Sequence, residues 1–429
     1  MAVDLLSSQV GTDSSVPLPY TGSPLLLLYS DVLLFFHKIQ FFLGIIRPLK
    51  PWHSGKLDEL YPSPANLQDI AIHTFLFVYQ FIFLVTLPCS FAFPLVLLAL
   101  YLFVVLGFNH LVFKKLNGSE RFVESQVPVN ARPEHEEEHW IFINGVAVGH
   151  HWLQSNVDRI SQTFGRKIIG VHNKTGGIIF DTIECLIQRN FSYATSDVRD
   201  GYKVVKKALI DPNYKKLVLI LHSQGGIVGG LIIDWLLDEI PRDLLQKLEV
   251  YTFGNAANHF NNPHRYALDV RRKIEDVSLP QSKAIRHIEH YANYNDFISV
   301  CGVLNFIQLS NRYMGRLFGR QGSGHQLNQH YLDNMFPLGP DGKASETNDF
   351  MDSEVHFQQT PTPDDPGESL ISSLRCGNST PEANIIDENS PIDVTHSRHE
   401  QMNGSRLKVK DFSRLWQYRN GRSPSDRNR

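Results

Sequence analysis

Residues 217–226 read LVLILHSQGG and place a serine where an apolar strand must end. The run 217–221 is fully apolar, which is typical of a central strand in a parallel sheet. Ser223 follows, and GIVGGLIIDWLLDEI continues at helical length. A strand, a sharp turn with serine and an immediate helix form a nucleophile elbow, whose backbone N–H groups face a developing oxyanion. The pattern predicts that Ser223 is a nucleophile; an ordinary serine turn is the alternative.

A nucleophilic serine needs a base, and an acid orients that base. At such elbows the partners follow in the order acid, then histidine, each on a loop after a later strand. Asp296 ends an extended segment in HIEHYANYNDFISV and is the predicted acid; an Asx-turn or a helix cap is its structural alternative. His325, in the glycine-rich loop of GRQGSGHQLNQHYL, is the predicted base. His330, inside the helix predicted to follow, is the alternative base.

The tetrahedral intermediate of acyl transfer needs two hydrogen-bond donors. The N–H of Gln224, directly after the serine, is the first predicted donor. The second is the N–H of Val146, in INGVAVGHHW, where a glycine-rich turn follows a predicted strand. An ordinary turn is the alternative at Val146. His222 is predicted to point away from the pocket and to pack.

The elements that position these residues alternate between short apolar runs and helical stretches, which predicts an α/β fold with a mostly parallel sheet over residues 139–338. The predicted strands are 140–145, 167–173, 217–222, 248–255, 284–293 and 314–321, and the predicted helices are 152–165, 195–211 and 226–240.

Residues 70–113 contain no Asp, Glu, Lys or Arg. As one helix they would measure about 66 Å at ~1.5 Å per residue, roughly twice the hydrocarbon core of a bilayer. Pro88 and Pro94 divide the run, so it predicts a helical hairpin, either transmembrane or monotopic. Basic residues flank both ends and predict that both face the cytosol. Residues 24–49 predict a helix in the membrane interface, with a third span as the alternative.

The remaining organisation follows from composition. Residues 1–69 form an N-terminal segment, 114–138 a linker, and 339–429 a polar tail that we expect to be disordered. Within that tail, 405–422 mixes basic and aromatic residues and fits either contact with an anionic membrane or a solvated end. The net charge of −3 gives no reason to expect nucleic acid as a partner. Four widely spaced cysteines argue against a disulfide framework or a zinc site.

In their order along the chain, LHSQGG, YTFGNAAN, NYNDFISV and GHQLNQHYL resemble the class 3 type of serine lipase in the α/β-hydrolase superfamily. The resemblance covers residues 139–338. It implies an α/β-hydrolase fold, a Ser223–Asp296–His325 triad and hydrolysis of a lipid ester. The lipase pattern has glycine two residues before the serine, where this chain has Leu221. The chain could therefore also be a catalytically inactive relative of these lipases.

We therefore expect a membrane-anchored serine hydrolase that cleaves lipid carboxylic esters, with the bilayer as its partner and without a metal or organic cofactor. A cytosol-facing catalytic domain on the endoplasmic reticulum or a lipid droplet is the expected location. Two alternatives stay open. In the first, the chain is a thioesterase or an acyltransferase that uses the same triad. In the second, it is a membrane scaffold with a hydrolase fold but no catalytic activity.

Overall fold

The computed structural model describes residues 3–6, 19–129, 132–265, 283–309, 312–358 and 407–424. A nine-stranded sheet has the order β2-β4-β3-β5-β6-β7-β8-β1-β9. The strands are β1 Val3–Leu6, β2 Phe122–Glu124, β3 Glu138–Ile143, β4 Ile168–Val171, β5 Lys216–His222, β6 Leu248–Phe253, β7 His287–Asn293, β8 Arg316–Arg320 and β9 Val355–Gln358.

The described helices alternate with these strands. They are α1 Pro24–His37, α2 Pro64–Ser90, α3 Leu95–Asn117, α4 Pro133–Glu136, α5 His150–Phe164, α6 Ile178–Phe191, α7 Ser196–Ile210, α8 Gln224–Glu239, α9 Arg242–Leu245, α10 Phe297–Cys301, α11 Val303–Phe306, α12 Asp333–Met335 and α13 Val409–Phe412. Short 3₁₀ helices cover Ile39–Ile45, Pro51–His53 and Leu415–Gly421, and a π-helix covers Leu327–Leu332.

The predicted α/β class with a mostly parallel sheet is confirmed. Strands β4, β3, β5, β6, β7 and β8 are parallel, whereas β2 and β1 join β4 and β8 antiparallel. All six predicted strands are present, within a few residues of the predicted bounds. Strands β1, β2 and β9 and helix α6 were not predicted, so the sheet extends beyond residues 139–338.

Strand β5 is apolar from Leu217 to Leu221, and both of its faces are covered. Leu217, Leu219 and Leu221 belong to the core that includes residues of α7 and α8. Val218 and Ile220 belong to the core on the opposite face, which includes residues of α5 and of the C-terminal segment. The sheet is therefore the middle layer of the fold, and its polar loops lie at its edges.

Helices α2 and α3 are each long and apolar enough to cross a membrane. Thr86 Oγ1 lies 2.6 Å from the Tyr101 hydroxyl, and Gln80 donates to Asn109 at 2.9 Å. The end of α2 thus meets the start of α3, so the two helices run side by side in opposite directions. Helix α1 and the 3₁₀ helix Ile39–Ile45 form a pair bent by 74° that passes the same test as one broken span.

The predicted disorder of residues 339–429 is wrong for the two segments of it that the structure describes. Strand β9 pairs with β1, and Met351, Val409 and Leu415 are fully buried. Within 407–422, Trp416 and Tyr418 pack in the core, so their aromatic rings neither contact a membrane nor form a solvated end. Residues 359–406 and 425–429 lie outside the described residues.

Candidate active site

Ser223 occupies a strained turn between β5 and α8. Its φ of 57° and ψ of −122° lie in a region that a residue with a side chain rarely adopts, at a cost of about 1–3 kcal/mol. Three backbone hydrogen bonds hold the turn. The Ser223 N–H donates to Phe253 O at 3.0 Å, and its carbonyl accepts from the N–H groups of Gly226 (2.9 Å) and Ala256 (3.1 Å). The side chain is thereby fixed at the carboxyl edge of the sheet.

Glycines on α8 let the helix approach the sheet. A Cβ on Gly225 would overlap Ile143 O, at the end of β3. A Cβ on Gly229 would overlap Leu221 Cδ1. The bulk of Leu221, which departs from the lipase pattern, is therefore accommodated by the absence of a side chain at Gly229.

Gly229→Ala is expected to destabilise the fold by about 1–3 kcal/mol, because the added methyl overpacks Leu221. The neighbouring Gly230→Ala is the matched control, since a Cβ there meets its nearest atom at 3.6 Å. Chemical unfolding of the full chain in detergent, followed by tryptophan fluorescence, measures both. Combining Gly229→Ala with Leu221→Ala should cost less than the sum of the single changes. Equal midpoints for the two glycine variants would refute the packing account.

Asp296 and His325 meet at this edge. The His325 Nδ1–H donates to Asp296 Oδ2 at 2.8 Å. Asp296 is fully buried, and His325 is 5% exposed. A Cβ on Gly254 would lie 2.8 Å from His325 Cε1 and 3.0 Å from Asp296 Oδ2. Gly254 follows Phe253, the acceptor of the Ser223 N–H, so serine, histidine and aspartate gather around one turn.

The Asp296 carboxylate is held in its ionised form. Burial alone would raise its pKa, but the His325 imidazole and hydrogen bonds from His325, Tyr331 and Ser299 hold the pKa below its usual value. The Tyr331 hydroxyl donates to Oδ2 at 2.7 Å, and the Ser299 hydroxyl at 2.9 Å. Oδ1 accepts from the Ile298 N–H at 3.0 Å and so caps α10. Asp296 therefore has both of the roles considered from the sequence: it is the predicted acid and it caps a helix.

His325 Nε2 is buried, and no described residue forms a hydrogen bond with it. The Nδ1–H is used on Asp296, so Nε2 is the nitrogen left for proton transfer. A bond from the Ser223 hydroxyl to Nε2 is therefore not formed in this state. Catalytic hydrogen bonds often tighten only when substrate is bound.

The alternative base His330 lies elsewhere. It sits in the π-helix, where its Nδ1 accepts from the Gln326 N–H at 3.0 Å and its Nε2–H donates to Pro48 O at 3.2 Å. Burial lowers its pKa to about 4. With both nitrogens engaged in structural contacts, His330 has none left to act as a base.

His222 is closer to the site than predicted. Its ring stacks on His325 at 4.7 Å, and its Nε2–H donates to His325 O at 2.8 Å. Burial, and then the neighbouring His325, lower its pKa to about 3, so it stays neutral. His222 packs, as predicted, but it packs against the candidate base.

The loop predicted to complete the oxyanion hole lies on the serine. A Cβ on Gly145 would lie 2.9 Å from Ser223 Oγ. Within the described part of the chain, neither the Val146 N–H nor the Gln224 N–H forms a hydrogen bond. The next residue, Ala147, has a φ of 56°, and its N–H donates to Asp181 Oδ2 at 2.9 Å. Of these two unpaired donors, Val146 lies in the loop that Asp181 holds, and Gln224 lies at the start of α8, directly after Ser223.

Asp181 connects this loop to α6, and the Gln224 side chain connects the start of α8 to α6. Asp181 also accepts from the Gly176 N–H at 2.7 Å and the Thr175 hydroxyl at 2.6 Å. Burial raises its pKa to about 6, so it is ionised at neutral pH. The Gln224 side chain donates to Glu184 and Gln188, both at 3.0 Å. Asp181, Glu184 and Gln188 were not predicted as supporting residues, because their contacts with Ala147 and Gln224 join positions 34 to 40 residues apart.

Ser223 is 2% exposed, whereas the elbow pattern predicts an exposed serine. Gly145 covers it from one side. The 3₁₀ helix Ile39–Ile45 contacts the loop that carries His325. The Gly324 N–H donates to Gly44 O at 2.8 Å, and the His325 N–H donates to Ile45 O at 2.9 Å. The N-terminal segment therefore closes over the site.

No family model matches this chain, and no curated protein is similar to it in sequence. The resemblance to class 3 lipases accordingly stays a prediction that rests on the motifs and on the site.

Proposed function

We propose that this protein is a membrane-associated serine hydrolase that cleaves carboxylic esters of lipids. The observation that carries the proposal is the buried His325–Asp296 pair beside the strained Ser223. Serine on the turn after β5, aspartate after β7 and histidine after β8 share one sheet edge, which is the arrangement of an α/β-hydrolase.

The geometry fits acyl transfer through a covalent intermediate. His325 Nε2 takes the proton of Ser223 as Oγ attacks the ester carbonyl carbon. The N–H groups of Val146 and Gln224 stabilise the oxyanion. The imidazolium then protonates the leaving alcohol and leaves an acyl-serine. Water, deprotonated by the same nitrogen, attacks the acyl-serine, releases the fatty acid and restores the serine.

Helices α2 and α3 place this chemistry next to a bilayer. We infer that they form the membrane hairpin and that α1 lies in the interface. Gln80 of α2 donates to Gly176 O at 2.6 Å, and Asn117 at the end of α3 exchanges two hydrogen bonds with Thr175. The loop 173–177 follows β4 at the same sheet edge as Ser223. The catalytic edge thus faces the membrane helices, and a lipid ester reaches the serine without crossing much water.

We infer a cytosol-facing domain on the endoplasmic reticulum or a lipid droplet from the basic flanks of the hairpin. The N-x-S/T sequons at Asn117, Asn173 and Asn190 do not report on this topology, because all three side chains are buried and hydrogen-bonded. A glycan has no room at these positions in the folded chain.

A fluorophosphonate probe tests the proposed function. We expect it to label the wild-type chain in carbonate-washed membranes, with the label on the peptide that contains Ser223, and we expect Ser223→Ala to abolish labelling. Ser161→Ala, which changes a buried serine on α5 whose hydroxyl donates to Arg166 O, is the matched control and should still be labelled. A folded wild type that never reacts would refute the hydrolase.

The second candidate function, a catalytically silent membrane scaffold, is favoured by one observation, the 2% exposure of Ser223. The probe separates the two candidates. A scaffold stays unlabelled even in detergent or lipid, whereas a hydrolase whose site is closed in this state reacts once membrane or substrate opens it.

A further inference from the structure

The fully buried residues of α6 are all polar and its exposed residues are all apolar, the reverse of a helix on a water-soluble surface. The buried residues are Asp181, Gln188, Arg189 and Asn190. The exposed residues Ile183, Ile187 and Phe191 follow each other at a spacing of four, and each is about 40% exposed (39%, 41% and 43%). We call these three the outer α6 face.

Inward contacts fix this orientation. Arg189 forms a buried ion pair with Asp31 of α1 and donates to Ala256 O at 2.8 Å and Cys301 O at 3.0 Å. Gln188 accepts from Gln224 beside the serine. Rotating α6 to bury the outer face would leave a guanidinium without these partners, at a cost of several kcal/mol. The apolar side is therefore held outward.

The outer α6 face adjoins the membrane helices. Helix α6 packs against both α1 and α2, and Phe180 at its start contacts Phe83 of α2 edge to face, with ring centroids 6.0 Å apart. Helix α1 also exposes apolar side chains, among them Tyr29 (55%) and Leu33 (36%). An apolar surface thus continues from a helix able to cross a bilayer onto the α/β body.

We propose that α6 docks in the interface of the bilayer that α2 and α3 cross, with the outer α6 face toward the acyl chains. Its 14 residues measure about 21 Å, too short to span, so the helix lies along the surface. The side chains of the outer α6 face form no hydrogen bonds, and the hydrocarbon of lipid acyl chains needs none, so the two surfaces match chemically. The consequence of this docking rests on the proposed function. Because Asp181 and Gln188 of α6 contact the loop with Val146 and the side chain of Gln224, the proposed oxyanion hole then lies at the depth of lipid ester carbonyls.

A fluorescent label tests the docking without any activity measurement. Ile187→Cys is labelled with an environment-sensitive nitrobenzoxadiazole in the full chain, in a background with Cys89 and Cys376 replaced by serine, and reconstituted into phosphatidylcholine liposomes. Lys203→Cys on α7, with a side chain 74% exposed, is the matched control. Doxyl lipids quench the label at defined depths.

We expect the label at 187 to be quenched by doxyl groups about 5–10 Å below the headgroups, and the label at 203 to emit as in water. Ile183→Cys gives a second measurement should the first variant not fold. A water-like label at 187 would overturn the proposal. Shielding without doxyl quenching would also overturn it and would indicate a protein partner or a second copy. Because labelling needs no catalysis, a protein that fails the fluorophosphonate test can still pass this one.

Discussion

Asp296→Asn is expected to lower kcat by about 10⁴-fold with the fold intact. The carboxylate accepts the Nδ1–H of His325 and so leaves Nε2 unprotonated. An amide NH₂ at this position favours the opposite tautomer, with the proton on Nε2, and that nitrogen then cannot take the proton of Ser223. Steady-state hydrolysis of a short soluble ester measures the loss, and KM should change little because Asp296 does not contact substrate.

Asp238→Asn, an exposed carboxylate on α8, is the matched control and should retain wild-type kcat. Tyr331→Phe removes one donor to Asp296 and should cost far less than the amide, since the His325 contact remains. The proposed triad would be refuted by an Asp296→Asn variant of near wild-type rate, or by a His325→Ala variant as active as the parent.

The parts of this site that were predicted depend on local signals. The unbroken apolar run of β5, the glycines after Ser223 and the order of Asp296 and His325 along the chain are properties of short segments. They define which residues end strands of a parallel sheet, and parallel strands bring their ends to one edge. The meeting of His325 with Asp296 follows from this topology.

The missed parts depend on contacts between distant segments. Helix α6 was missed because its fully buried residues are polar and its exposed residues are apolar, the reverse of the pattern that predicts a helix on a water-soluble surface. The closure of Ile39–Ile45 over the His325 loop joins residues about 280 positions apart. The low apolar content of 339–429 predicts that this region has no core of its own. It does not reveal that a few side chains complete the core of another segment.

The C-terminal segment completes that core by neutralising a buried charge. Glu249 on β6 is 3% exposed. Arg414 donates two hydrogen bonds to Glu249 Oε1, at 2.7 and 3.0 Å, while Tyr251 and Tyr418 donate to Oε2, each at 2.7 Å. Burial alone would raise the pKa of Glu249, but Arg414 outweighs it and lowers the pKa to about 2. The segment therefore supplies the cation that β6 requires.

Arg414→Met is expected to destabilise the α/β body by up to about 3–5 kcal/mol, because it removes the bidentate partner of Glu249 and leaves the buried carboxylate with the more distant Lys216 Nζ at 3.8 Å. Chemical unfolding in detergent measures the loss. Trp140, Trp235 and Trp416 lie in β3, α8 and the C-terminal 3₁₀ helix, so the tryptophan fluorescence reports unfolding of the α/β body. Arg422→Met is the matched control on the same segment: its exposed pair with Glu346 should contribute at most about 1 kcal/mol.

The pH dependence of the free energy of unfolding tests the Arg414–Glu249 pair in a second way. A carboxylate with a lowered pKa stabilises the folded state above its unfolded pKa, near 4.5, and loses that contribution as the pH falls toward about 2. The wild type should lose stability as the pH falls over this interval. Arg414→Met should lose less, because protonation of its buried Glu249 removes a charge that destabilises the folded variant. Adding Glu249→Gln to Arg414→Met should recover much of the lost stability, because no uncompensated charge then remains. Additive effects of the two substitutions would contradict the coupling and would leave the burial of Glu249 without a physical cause.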